Sequence, residues 1–89
     1  MDVLNKSFES AVQIVNNLKK KPNDEDLLKT YGLYKQSKFG DNNTNKPNFL
    51  DLKGCKKWEA WESFRGKSIN EAKQEYINLS IQLFKNYGQ

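Results

Sequence analysis

Tyr31 and Lys35 stand four residues apart in the segment Tyr31-Gly32-Leu33-Tyr34-Lys35-Gln36, and Lys53 and Lys57 repeat that interval later in the chain, with Trp61 four beyond Lys57. On a helix, residues four apart emerge side by side, so each segment sets an ammonium next to an aromatic ring. A phenol and two ammonium groups converging from two helices suit a phosphate carried on a flat ring system. The like-charged Lys53/Lys57 pair opposes its own helix by roughly 0.2–0.5 kcal/mol, a cost that an anionic ligand would relieve. Gly32 costs about 1 kcal/mol relative to alanine in mid-helix, and close approach of a ligand is one reason to tolerate it. The same residues have an ordinary reading. Helical lysines are usually solvated, and tyrosines and tryptophans at helical spacing, Tyr76 included, are usually core.

Most catalytic chemistry is missing. The chain has no histidine, no cysteine beyond Cys55, no glycine-rich phosphate loop and no paired-histidine metal signature. Asp24, Glu25 and Asp26 are the obvious carboxylate cluster, and they fall where a helix should start, where dipole stabilisation accounts for them. The expectation is a binding protein with no cofactor and no metal. Lys+Arg total 15 against 11 Asp+Glu, a net +4, and Arg65 is the sole arginine. Ammonium groups act as compact point charges that suit phosphates, whereas reading of base edges more often recruits arginine. The lysines are also interspersed with carboxylates rather than gathered in one stripe, which argues against a nucleic-acid partner. A purely structural interaction module, in which the Tyr-Lys and Lys-Trp pairings are accidental, remains the other alternative.

Four elements must position these groups. Phe8, Ala11, Val12, Val15 and Leu18 have the spacing of one buried helical face, ended by Lys19-Lys20-Lys21-Pro22. Asn23 or Asp24 can cap a second helix with the face Leu27, Leu28, Tyr31, Tyr34 and Lys35, and Gly40 marks its end. Residues 40–48 are rich in Gly, Asp and Asn and read as a loop. Asp51 can cap a third helix carrying Trp58, Trp61 and Phe64, with Gly66 as its stop. Ser68-Ile69-Asn70-Glu71 is a capping-box pattern opening a fourth, whose stripe is Ala72, Tyr76, Leu79 and Leu83, extended by Ile69 and Tyr87. No strand alternation competes.

With 89 residues, 36% of them hydrophobic and 29% charged, the chain reads as a single domain over 1–89. Folding at this size buries only about 60–65% of the unfolded surface, so a ligand belongs in a surface groove rather than a closed cavity. No apolar run approaches the ~20 residues of a membrane span. The start, Met1-Asp2-Val3-Leu4-Asn5, lacks a basic then apolar leader, so a cytoplasmic protein is expected. The lone Cys55 agrees with a reducing compartment.

Taken in order, the Tyr31–Gln36 segment, Gly40-Asp41, Pro47, Asp51-Leu52-Lys53-Gly54, Lys57-Trp58-Glu59-Ala60-Trp61, and Ala72 with Tyr76 closely resemble the acyl-CoA-binding protein family. The likeness runs from Phe8 to Gly88. It implies an all-α, up-down-down-up four-helix bundle holding one long-chain acyl-CoA, with no catalysis, acting as a single copy. By that resemblance Tyr31, Lys35 and Lys57 hold the 3′-phosphate, Tyr76 lies next to the adenine, and Lys53 adds charge near the head group. Gly32, Leu33 and Tyr34 belong to the lining segment, while Phe8, Leu28 and Lys21 meet the pantetheine or acyl portion. Two positions depart from the family pattern. Asn16 stands where many relatives have a basic residue facing the ligand, and Ser80 where an apolar residue is usual.

Overall fold

The computed structural model describes residues 2–89; Met1 lies outside the described residues. They form α1 (Asp2–Asn16), α2 (Asp24–Phe39), α3 (Leu52–Glu62) and α4 (Ile69–Tyr87), with no strand among the described residues. The packed pairs are α1 with α4, α4 with α2, and α2 with α3. Lys73 of α4 reaches Asn5 of α1 at 2.7 Å, so these helices run parallel. The Tyr87 hydroxyl donates to Asp26 at 2.7 Å and Gln36 to the Lys67 carbonyl at 2.7 Å, so α2 runs antiparallel to α4. Gly32 lies against Ala60, and Phe39 beside Trp61, so α3 follows α2. The result is the expected up-down-down-up arrangement, laid out side by side as α1, α4, α2, α3. Its Cα extents are 36 × 31 × 14 Å. A body so thin cannot enclose a ligand, and any binding site must be a trough on its surface.

The helix starts follow from their caps. The Asn23 side chain accepts from Asp26 N–H at 2.8 Å, settling the choice between Asn23 and Asp24. Asp51 takes Gly54 N–H at 2.9 Å, and the full Ser68/Glu71 capping box is present. Each such cap contributes on the order of 1 kcal/mol. Gly40 ends α2 at φ 76°, a conformation that favours glycine.

Three expectations need correction. First, α1 ends at Asn16, before the lysine run. The Asn17 side chain donates to the Gln13 carbonyl at 2.8 Å, so an asparagine satisfies the helix end, and Lys19–Lys21 lie in the connector. Second, α3 stops at Glu62 with Ser63 as its cap, and Phe64 packs from the turn beyond it. Third, the apolar face expected to bury α2 is only half-buried. Its fully buried residues are Thr30, Gly32, Leu33, Gln36 and Ser37. Thr30 and Ser37 donate back to the carbonyls of Asp26 and Leu33, each at 2.7 Å, so they enter the interior with their hydroxyls satisfied. Ser80 is buried in the same way, its hydroxyl on the Ile77 carbonyl at 2.7 Å, which explains how α4 accepts a polar residue where an apolar one was expected.

The core joins Phe8 and Ala11 of α1, Leu33 of α2, and Ala72 and Tyr76 of α4. Gly32 is explained by packing rather than by ligand. A Cβ there would lie 2.4 Å from the Ala60 carbonyl oxygen, a backbone atom that cannot step aside. Gly32→Ala should therefore destabilise the fold by about 1–2 kcal/mol, because overpacking outweighs the ~1 kcal/mol gained in helix propensity. Urea unfolding checks this, and a variant more stable than wild type would mean that α3 is free to move away.

Candidate functional site

Because the backbones of α1 and α2 both lie against α4 and not against each other, a trough of about 290 Å³ lies between them. Val12, Val15 and Asn16 form one wall, Leu27, Thr30, Tyr31 and Tyr34 the other, and Tyr76 of α4 the floor. In the core the rings of Phe8 and Tyr34 stack 6.1 Å apart, with Tyr76 tilted 5.1 Å from Phe8. A second groove, about 440 Å³, runs between α2 and α3 and is lined by Lys21, Asp24, Leu27, Leu28, Leu52, Lys53, Lys56 and Lys57. Leu27 belongs to both, so the two grooves meet across the exposed edge of α2.

Tyr31 stands at this junction with a lysine from each side. Lys57 Nζ lies 5.5 Å and Lys35 Nζ 5.9 Å from the centroid of its ring. Lys35 also lies over Phe39 at 4.8 Å and Trp61 at 5.2 Å. The indole N–H of Trp61 donates to the Gly40 carbonyl at 2.8 Å, which fixes the platform under Lys35. Among the described residues neither Lys35 nor Lys57 makes an ion pair. Two ammonium groups, one from α2 and one from α3, thus lie within about 6 Å of one aromatic ring without a counter-anion, an arrangement that attracts a multiply charged oxyanion. Four lysines against one aspartate make the second groove basic along rims whose floor is leucine.

The sequence-expected residues divide accordingly. Tyr31, Tyr34, Tyr76 and Asn16 line the first trough, and Lys21, Leu28, Lys53 and Lys57 line the second. Lys35 meets both groups at the Tyr31 ring. Phe8 and Leu33 are not brought to either surface. At 2% and 1% exposed they are core, and Gly32 faces α3. Leu27, Leu52 and Lys56 were missed as lining residues. Leu27 had been read as part of a buried stripe, and a single sequence offers no signal that separates the two roles. Lys21 is held in place through its neighbour, since Lys20 N–H donates to the Tyr87 carbonyl at 2.9 Å.

A match to the family model described as acyl CoA binding protein covers residues 5–80. The chain belongs to the acyl-CoA-binding protein family. It is 45% identical over 86 residues to the acyl-CoA-binding protein homolog of Drosophila melanogaster, covering 97% of this chain and 100% of that one. Against the acyl-CoA-binding protein of Saccharomyces cerevisiae it is 46% identical over 81 residues, covering 91% and 93%. The crystal structure of Oryza sativa acyl-CoA-binding protein 2 superposes with a TM-score of 0.89 at 37% identity, over 93% of this chain and 92% of that one. The solution structure of the yeast acyl-coenzyme A binding protein gives 0.74 at 45% identity, over 92% and 95%. These likenesses extend to the whole four-helix arrangement.

Burial pushes the Tyr76 phenol from 10.0 up to about 12. In the unfolded chain the phenol ionises near its ordinary value, so between about pH 10 and 12 the folded state binds more protons and stability falls as pH rises. Tyr87, raised by its hydrogen bond to the Asp26 carboxylate, adds to the slope. Tyr76→Phe should make the alkaline decline shallower in denaturant unfolding followed upward from about pH 9. An unchanged slope would mean that the Tyr76 hydroxyl is solvated in the trough.

Proposed function

We propose that this protein binds one long-chain acyl-CoA across the two joined grooves and serves as a cytoplasmic carrier and buffer of such esters, as a single domain over 1–89 acting as a single copy and doing no chemistry. The observation that carries the reading is the convergence of Lys35 and Lys57 on the Tyr31 ring. There they meet the 3′-phosphate. The adenine lies in the first trough over Tyr76, with Tyr34 supporting that floor and Asn16 offering an amide in place of a charge. Pantetheine and acyl chain follow the second groove, where Leu27, Leu28 and Leu52 shield methylenes while Lys21, Lys53 and Lys56 face the polar atoms. No helix of the described residues is long and apolar enough to cross a membrane.

Calorimetric titration with an acyl-CoA of about sixteen carbons tests this, with one site per chain expected. Lys35→Ala and Lys57→Ala should each weaken binding by roughly 1.5–3 kcal/mol, the loss of one charge-assisted hydrogen bond. Lys85→Ala, in the exposed last turn of α4, is the control. Absence of binding by wild type would sink the reading, and equal affinity of the three variants would sink the residue roles.

A further inference from the structure

Phe49, Leu50 and Leu52 are 78%, 77% and 71% exposed, in and just after the turn that leads into α3. Large apolar side chains this open, crowded into four successive positions, mark a surface that something covers. Part of the backbone around them is already paired. Leu50 N–H donates to Asn48 Oδ1 at 2.8 Å, and Asp51 N–H to the Asn48 carbonyl at 2.9 Å. The Cys55 thiol turns to the carbonyls of Asn48 and Pro47 at 3.4 and 3.5 Å. With two of its amide donors satisfied internally, the turn leaves water at a lower cost than an unpaired loop would.

The surrounding charge is basic. Lys46 precedes the turn, and Lys53 and Lys56 follow it on α3. Lys46 and Glu59 pair off at 2.9 Å and Asp51 caps Gly54 at 2.9 Å, so the unpaired cations beside the turn, among the described residues, are Lys53 and Lys56. Lysine stems can lie along an apolar boundary while their ammonium groups reach phosphates above it. Moreover, Leu52, Lys53 and Lys56 also line the second groove, so the apolar turn and the groove mouth form one continuous surface.

We propose that residues 47–52 insert into the headgroup region of an anionic lipid bilayer, with the flanking lysines on lipid phosphates, so that the acyl groove opens onto the membrane surface. The proposal rests on the acyl-CoA reading for its purpose, since a membrane is where a long acyl chain would be collected or delivered. A protein partner fits less well. A turn with three apolar side chains falls far below the roughly 800 Å² per partner of a stable protein interface.

Sedimentation with vesicles tests it, comparing phosphatidylcholine alone with phosphatidylcholine containing phosphatidylserine, in the absence of acyl-CoA. Wild type should bind the anionic vesicles, and added salt should weaken binding. Phe49→Ser/Leu50→Ser should lower the partition coefficient about tenfold or more. Val3→Ser/Ile81→Ser, which removes exposed apolar groups elsewhere, should leave it unchanged. The affinity of Phe49→Ser/Leu50→Ser for soluble acyl-CoA should stay within about twofold of wild type. Equal vesicle binding by all three proteins, or none by wild type, would overturn the proposal. So would a parallel loss of soluble acyl-CoA affinity, which would make the turn a cover for the ligand, or a concentration-dependent dimer abolished by the substitutions. Failure of the acyl-CoA reading is separately visible, as vesicle binding by a protein that shows no heat with acyl-CoA.

Discussion

Lengthening the acyl group of the ligand from about eight to about sixteen carbons should tighten binding by roughly 3 kcal/mol, because added methylenes contribute about 0.8 kcal/mol each when buried and the groove can shield only part of each one. Full burial of eight methylenes would give about 6 kcal/mol. The thin body forbids that, since a slab of 14 Å extent leaves its grooves open on one side. Loss of chain entropy on ordering lowers the gain further. The apolar floor available is Leu27, Leu28 and Leu52, and the first two are half-buried rather than core. Leu28→Ala should therefore flatten the chain-length dependence while leaving binding of CoA alone nearly unchanged. Titration of an acyl series against both proteins decides this. Equal affinity for short and long chains would mean that the protein reads only the nucleotide and is no carrier of acyl groups.

The same half-buried leucines show where sequence reasoning succeeded and where it stopped. Local rules placed the four elements well, because caps and stops are short-range chemistry. Asn23, Asp51 and the Ser68/Glu71 box each satisfy amides within three residues of themselves. Periodicity gave the stripe on α2 but could not by itself say what surrounds it. Leu27, Leu28, Tyr31 and Tyr34 repeat as a core face would, yet they line grooves, while Thr30, Gln36 and Ser37 go inside. A groove for an apolar ligand and a hydrophobic core make the same demand on side-chain type, so composition cannot separate them.

What could have warned of this is Gln36. It is fully buried, yet its amide donates to Asp41 Oδ1 at 3.0 Å and to the Lys67 carbonyl at 2.7 Å, tying the loop after α2 and the start of α4 to one side chain. Both partners are distant or irregular in sequence, so a polar interior position there was invisible to a helical pattern. The proposed clamp was legible for the opposite reason. Tyr31 with Lys35, and Lys57 with Trp61, are i,i+4 pairs, and the one non-local fact needed was that α2 and α3 lie side by side in parallel. Gly32 supplies it, since its missing side chain lets the α3 backbone come in next to Tyr31.

Removing only the 3′-phosphate from the ligand should weaken binding to wild type by about 3 kcal/mol or more, a larger loss than either single lysine substitution. The diphosphate, adenine and acyl chain stay in place, so the difference isolates the contacts at the Tyr31 ring. With the phosphate gone, two ammonium groups 5.5 and 5.9 Å from the centroid of that ring are left without an anion, and their mutual repulsion adds to the lost hydrogen bonds. Lys35 already lies closer to the Phe39 and Trp61 rings, at 4.8 and 5.2 Å, than to Tyr31, so part of that repulsion is offset by the aromatic platform that holds it. Among the described residues Lys57 makes no ion pair, and it stays at the groove rim. In Lys35→Ala/Lys57→Ala the discrimination between the two ligands should nearly vanish, because the groups that read the phosphate are missing whichever ligand is present. Competition titrations of both ligands on wild type and the double variant complete the cycle. If the double variant still distinguished the ligands as strongly as wild type, the phosphate would sit elsewhere, and the lysines flanking Tyr31 would be ordinary solvated surface.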